Sequence, residues 1–164
     1  MDNPMTRKGF YRLAEEHRSL LQDLRPKVVQ GVADAAAEGD RSENAEYIYG
    51  KKRLREIDKK LRQLTNLMKD VRLVDPENLR SDSVVFGATV SVTYNGEKKT
   101  WMIVGVGEAN ADEGTISWRS PVAKAMIGKK VGDEFIVYRP TGDLEGSIHS
   151  IAFRGQPPKV MSRK

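Results

Sequence analysis

Apolar or small residues at steps of three and four run through Tyr47, Gly50, Leu54, Ile57, Leu61, Leu64, Met68 and Val71. This is the seam of a helix that packs along another helix, and it predicts a helix of about 28 residues, roughly 42 Å at 1.5 Å rise per residue. A partner lies just upstream. Phe10, Leu13, His17, Leu20 and Leu24 alternate in the same way, and the seam continues at Val28, Gly31 and Ala35. A few residues around Glu38 to Arg41 join the two, so the helices must run antiparallel. The first is expected to begin near Thr6. Between Leu24 and Val28 one step is four where three is due, and Pro26 sits inside the slip. A proline in a helix interior removes a donor and clashes one turn back, costing about 3 kcal/mol unless the helix bends. A kink is therefore expected over residues 24–28. Gly31, Ala35 and Gly50 lie toward the tip, where small side chains allow close approach.

The helical pattern stops at "VDPENLRSDS", where Pro76 and its polar neighbours favour a turn. Beyond it, "VVFGATVSVTY", "TWMIVGV", "TISW", "DEFIVYR" and "SIHSIAF" are short β-branched and aromatic runs separated by Gly, Asn and Asp. Asn95-Gly96 is a hairpin signal, since both residues tolerate the positive φ of a type I′ turn. "SPVAKAMIG" reads as a short helix with Ser120 as its cap and Pro121 at its first position. The fold class is α+β: a helical coiled-coil hairpin over residues 1–74, a small α+β domain over 75–153, and a polar tail over 154–164. No internal repeat appears. A charged fraction of 31% against 38% hydrophobic residues suits an elongated helical element with much surface per residue.

The formal charge of +5 and pI near 9.4 point to an anionic partner, with nucleic acid first. There is no cysteine, which excludes disulfides, thiolate zinc sites and cysteine nucleophiles and suits a reducing compartment. Only His17 and His149 could offer imidazole, too few for a histidine metal cage. "MDNPMTRKGFYRLAEEH" lacks the apolar core of a signal peptide, and no run approaches the roughly 20 apolar residues of a membrane span. A soluble cytoplasmic protein is expected, and a monomer, because the hairpin buries its own seam.

Asp40 and Glu43 stand at the predicted tip and admit two readings. One is a capping box, with an acceptor at the N-cap and Glu three residues later reaching back to its amide; acids in a first helical turn also favour the helix dipole. The other is a metal pair: residues three apart share one helix face, and two hard carboxylates with waters and phosphate oxygens suit Mg²⁺. Such a pair would hold one ion weakly and need further ligands from a partner. Ser42 and Asn44 add hydrogen-bonding groups that suit either a metal-bound water or phosphate, or plain turn and cap chemistry. After them, "KKRLREIDKKLR" sets Lys51, Lys52, Arg53, Arg55, Lys59, Lys60 and Arg62 against Glu56 and Asp58, a local net of 7 − 2 = +5. It is either a solvated helix face or a track for an RNA or DNA backbone.

"GDRSENAEY" over residues 39–47, followed by "KKRLREID", resembles the Gre-type transcript cleavage factors of bacterial RNA polymerase, and within them the GreB subgroup. The resemblance runs from residue 5 to about 153 and includes Arg25-Pro26, "VDP" at residues 74–76 and "SPVAKAMIGKKVGD" over 120–133. It implies that the coiled coil enters the polymerase secondary channel and brings Asp40 and Glu43 to the active centre. There they would help hold a second Mg²⁺ for cleavage of the backtracked 3′ end of the nascent RNA, with Ser42 positioning the tip or the water. By the same resemblance Lys51, Lys52, Arg53, Arg55 and Lys59 would bind the extruded RNA. The C-terminal domain would be FKBP-like and dock on the channel rim, with Ser120 and Pro121 as candidate contacts. Glu38 departs from the Leu that many relatives carry there.

The protein is thus expected to be an accessory to polymerase rather than an autonomous enzyme, since two carboxylates on a solvated tip form no pocket. A non-cleaving channel regulator is the alternative. A prolyl isomerase would need an aromatic-lined pocket, whereas Trp101, Trp118, Phe135, Tyr138 and Phe153 are expected to be ordinary core.

Overall fold

The computed structural model describes residues 2–39 and 44–158. The chain divides into two compact units, one of Tyr11–Lys69 and one of Met1–Phe10 with Asp70–Lys164. In order, the elements are β1 (Pro4–Thr6), α1 (Arg7–Ser19), a π-helical turn (Leu20–Leu24), α2 (Arg25–Ala37), α3 (Ala45–Leu67) and β2 (Arg72–Val74). A 3-10 turn (Pro76–Asn78) leads to β3 (Ala88–Tyr94), β4 (Glu97–Val104), a second 3-10 turn (Ala111–Glu113), β5 (Thr115–Ser117), α4 (Pro121–Met126), β6 (Glu134–Val137) and β7 (Leu144–Phe153).

In the helical unit, Leu13, Val28, Ala35, Ile57 and Leu64 are buried along the expected seam. Gly31 is not part of it. It is exposed, and Val32 takes the inward position, with Cγ2 2.7 Å from where a Cβ on Gly50 would sit. Gly50 is thus the slot into which Val32 packs, and its missing side chain sets the helix separation there. The irregularity caused by Pro26 lies slightly upstream of the expected kink. Pro26 cannot donate to the carbonyl of Gln22, and its ring crowds that oxygen. The chain widens the preceding turn, and the Arg25 N–H reaches back five residues to the Leu20 carbonyl. The second long helix is also shorter than the seam suggested, 23 residues, or about 35 Å. Asp70 adopts a left-handed φ of 54°, so Val71 falls outside the helix.

Arg25 also clamps the hairpin: its Nε donates to Asp58 Oδ1 at 2.8 Å and its Nη2 to Oδ2 at 3.3 Å. This hydrogen bond, and then the guanidinium charge, hold the Asp58 carboxyl below its ordinary value of 3.8, against the opposing effect of burial.

The other unit is built on a five-stranded sheet of order β5-β4-β3-β7-β6, antiparallel except for the β4–β5 pair. Asn95 and Gly96 both have positive φ, 51° and 80°, as the β3–β4 hairpin requires. α4 buries Ala123 and Met126 against Val84, Val90, Val92, Ile103 and Ile148. Phe135 is buried, and Trp101, Trp118 and Phe153 pack on the same core. Tyr138 does not; it is 75% exposed.

β1 has no counterpart in the sequence reading. Its three residues pair in parallel with β2, Pro4 to Arg72 through Thr6 to Val74, so the first ten residues group with the C-terminal unit rather than with the hairpin, as the expected boundary at 74/75 would have it. Thr6 then caps α1, its Oγ1 accepting the Gly9 N–H at 3.1 Å. The reciprocal acid of this capping arrangement comes from 102 residues away: the buried Glu108 accepts the Thr6 N–H at 2.8 Å, the Thr6 hydroxyl, and the Gly105 N–H at 2.8 Å. Gly9 is small because a Cβ there would meet Glu108 Oε1 at 2.1 Å.

Two stability tests follow from these contacts. Asp58→Asn should lower the stability of the hairpin by less than about 1 kcal/mol, because each partner's side chain is about one third exposed and screened. The folded-state pKa of Asp58 is depressed, so its contribution is present above the unfolded value near 3.8 and is lost as pH falls through the lower folded value. Urea titrations followed by helical circular dichroism should therefore separate the two proteins at pH 7 and merge them in strong acid. Glu108→Gln replaces an acceptor by an amide that cannot satisfy all three donors, and should cost roughly 1–3 kcal/mol, read by the fluorescence of Trp101 and Trp118.

Candidate tip and basic face

Asp40, Ser42 and Glu43 lie outside the described residues; the chain on either side of them is defined. α2 ends with Glu38 as its C-cap, whose N–H bonds to the Ala35 carbonyl at 3.2 Å, and Gly39 follows with φ 127°. α3 begins at Ala45 with Asn44 as its N-cap, in extended conformation with φ −84° and ψ 100°. Asn44 Oδ1 accepts the Tyr47 N–H at 3.1 Å, and its Nδ2 donates to the Ala35 carbonyl at 2.7 Å.

This assignment bears on the two readings of the acids. A capping box built on Asp40 and Glu43 would require Asp40 at the N-cap. The cap of α3 is Asn44 instead, and the acid of its first turn is Glu46. Asn44 is itself committed to two backbone bonds, which leaves its amide turned to the chain rather than to a ligand. A polar residue immediately before the periodic run suits a cap, but the sequence left that cap open between Asp40 and Asn44. Its second bond, to Ala35, has no sequence signature.

Lys51, Lys52, Arg53, Arg55 and Lys59 are all exposed on α3. At about 100° per residue, Lys51, Arg55, Lys59 and Arg62 share one face, with Lys52 beside them. Arg53 projects well away from that face, closer to Lys60. Lys60 lies 3.6 Å from Glu16 across the hairpin. Asp58 is drawn to Arg25, so of the two acids within the run one is engaged by the neighbouring helix. Ile48 and Tyr49, one turn after Asn44, are 52% and 65% exposed and set apolar surface beside the cations.

Ser120 and Pro121 stand at the start of α4, as expected. Ser120 Oγ accepts the Ala123 N–H at 3.2 Å, and Pro121 is exposed. A groove of about 460 Å³ lies elsewhere on the same unit, lined by Phe135, Ile136, Tyr138, Lys129, Glu134 and Glu145 among others. Among the described residues no group of three or more His, Cys, Asp or Glu could hold a metal ion, and no helix is long and apolar enough to cross a membrane.

A family profile described as "Transcription elongation factor, N-terminal" matches residues 3–73, and one described as "Transcription elongation factor, GreA/GreB, C-term" matches residues 79–153. The transcription elongation factor GreB of Pasteurella multocida is 49% identical over 85% of this chain and 89% of its own length. GreB of Haemophilus influenzae is 48% identical over 91% of this chain and 95% of its own. Among solved structures, GreA factor homolog 1 of Thermus thermophilus aligns at a TM-score of 0.44 with 20% identity, covering 93% of this chain and 99% of that one. With both profiles matched in order and GreB relatives near half identity over most of the length, the chain belongs to the GreA/GreB family of transcription elongation factors.

Proposed function

We propose that this protein is a transcript cleavage factor that acts on bacterial RNA polymerase in the cytoplasm as a monomer. Its helical hairpin enters the secondary channel and presents Asp40 and Glu43 to the active centre, where the backtracked 3′ end of the nascent RNA is cut by the polymerase's own cleavage activity. The observation that carries this reading is the cap of α3: Asn44 fills it, so the two acids are not needed to start the helix. They precede it, three residues apart, in a tip whose flanks are held by backbone bonds.

Asp40 and Glu43 would hold Mg²⁺ jointly with the polymerase. The donor set fits, because two carboxylates offer the hard oxygens that Mg²⁺ prefers while leaving positions for waters and phosphate. It is also incomplete by itself, which accounts for an accessory rather than an autonomous catalyst. When bound, the ion supplies charge neutralisation at the attacking and leaving oxygens of a phosphodiester. Ser42 would orient the tip or the attacking water through its hydroxyl. Lys51, Lys52, Arg55 and Lys59, helped by Arg62, would hold the phosphates of the extruded strand along one helix face, and Tyr49 offers an aromatic surface to an unstacked base. Arg53, which projects well away from that face, would meet the strand only where it wraps around α3. We read the five-stranded sheet and α4 as the FKBP-like module that docks on the channel rim, with Pro121 and the start of α4 at the contact.

The deciding experiment uses stalled, backtracked elongation complexes with 3′-labelled RNA. Wild type should release short labelled fragments, while Asp40→Ala and Glu43→Ala should bind polymerase with unchanged affinity and cleave about a hundredfold more slowly, the scale of losing a few kcal/mol of charge stabilisation. If all three proteins alter transcription alike, the non-cleaving channel regulator is the correct account.

A further inference from the structure

We infer that Asn44 is the positioning residue of the acidic tip, because its single side chain ties the end of α2 to the start of α3 and so holds the chain on both sides of residues 40–43. The inference rests on the cleavage reading above and adds a residue to it. Two bonds define the tie: Oδ1 accepts the Tyr47 N–H at 3.1 Å, and Nδ2 donates to the Ala35 carbonyl, nine residues upstream, at 2.7 Å. That carbonyl also takes the Glu38 N–H at 3.2 Å. It is thus the point where the last turn of one helix and the first turn of the next are joined.

Capping alone does not explain the choice of residue. A cap needs an acceptor, and Asn, Asp and Ser serve about equally well. The bond to Ala35 needs a donor on the same short side chain, aimed away from the helix it caps. An ionised Asp has acceptors only, and a Ser hydroxyl is too short to reach in both directions. Asn is the small residue that can do both. The consequence falls on Glu43, whose backbone runs directly into Asn44, and on Asp40, which follows the Gly39 pivot just past the other tied end. Carboxylates that act on reacting atoms lose rate steeply when misplaced by about 1 Å. The tie fixes the two described ends, at Ala35 and Asn44, from which the chain leads to those acids.

Asn44→Asp and Asn44→Ser keep the cap and lose the tie, so they separate the two roles. In the free protein, hydrogen exchange should leave the Tyr47 amide protected in both variants, while exchange of the Glu38 amide rises about fivefold, the scale of one lost hydrogen bond. On backtracked complexes, the factor concentration for half-maximal cleavage should stay within about twofold, while the rate at saturation falls about tenfold or more. Asp40→Ala run alongside reports on the cleavage reading. If Asp40→Ala is inactive but both Asn44 variants cleave like wild type, Asn44 is a cap and nothing more. The inference is equally overturned if Glu38 exchange does not change, or if Tyr47 protection is lost in step with rate. Full cleavage by Asp40→Ala would overturn the cleavage reading and this inference with it.

Discussion

Pro26 has no amide hydrogen, and the geometry of the hairpin on the tip side of it depends on how the chain answers that loss. In an unbroken α-helix the Gln22 carbonyl would lack its donor and press on the proline ring. The π-helical turn over Leu20–Leu24 resolves both problems by closing on Leu20 through Arg25, at the expense of one surplus residue in the turn. The same surplus explains the seam. Leu20, Leu24, Val28 and Val32 are three successive steps of four, which overshoot three turns of an α-helix by about 120°. One extra residue removes about 100° of that, so Val28 and Val32 come back to the face that meets α3. Without the wide turn, Val32 would rotate out of the Gly50 slot and Ala35 would carry its carbonyl away from Asn44.

Charge in the helical unit is sorted by the same packing. A basic run with two internal acids would ordinarily neutralise part of itself through pairs one turn apart. Here Arg25, fixed at the first position of α2, takes Asp58 bidentately, and Glu16 on α1 takes Lys60. The pairs that stabilise the hairpin thus spend cations and anions from its flanks, and Lys51, Arg55, Lys59 and Arg62 remain together on the outward face. A stripe of like charge costs some self-repulsion and persists only as a solvated surface or where a polyanion lies against it.

The hairpin, the hairpin turn at Asn95-Gly96, the cap of α4 and the five main strands were legible because each depends on neighbours within about four residues or on a period of two. So were the candidate acids and cations, as residue types at a spacing. Several of the errors share one trait, a determinant that lies outside that short range. Gly31 and Val32 are adjacent, and small size suggested the first for the seam; which of them faces α3 is decided by the rotation of the wide turn several residues earlier. The cap of α3 was open between Asp40 and Asn44, since either could serve its amides, and the bond to Ala35 from the other helix accompanies the second.

β1 and Glu108 carry the same lesson further. Three residues, Pro4–Thr6, are too few to show a strand period, and their pairing partner is at 72–74. The capping box at the start of α1 is physically complete, with a hydroxyl on the Gly9 amide and a carboxylate on the Thr6 amide. No local pattern could reveal it, because the acid is supplied by residue 108 rather than by the third helical position. What remains in the sequence is an indirect trace. Gly9 occupies a first-turn position where glycine weakens a helix by roughly 1 kcal/mol relative to alanine, and Gly105 sits just after a strand. Both are explained by the space that the buried Glu108 side chain and the β1 backbone take up. A glycine that is unfavourable for its own element marks a place where another part of the chain must come close.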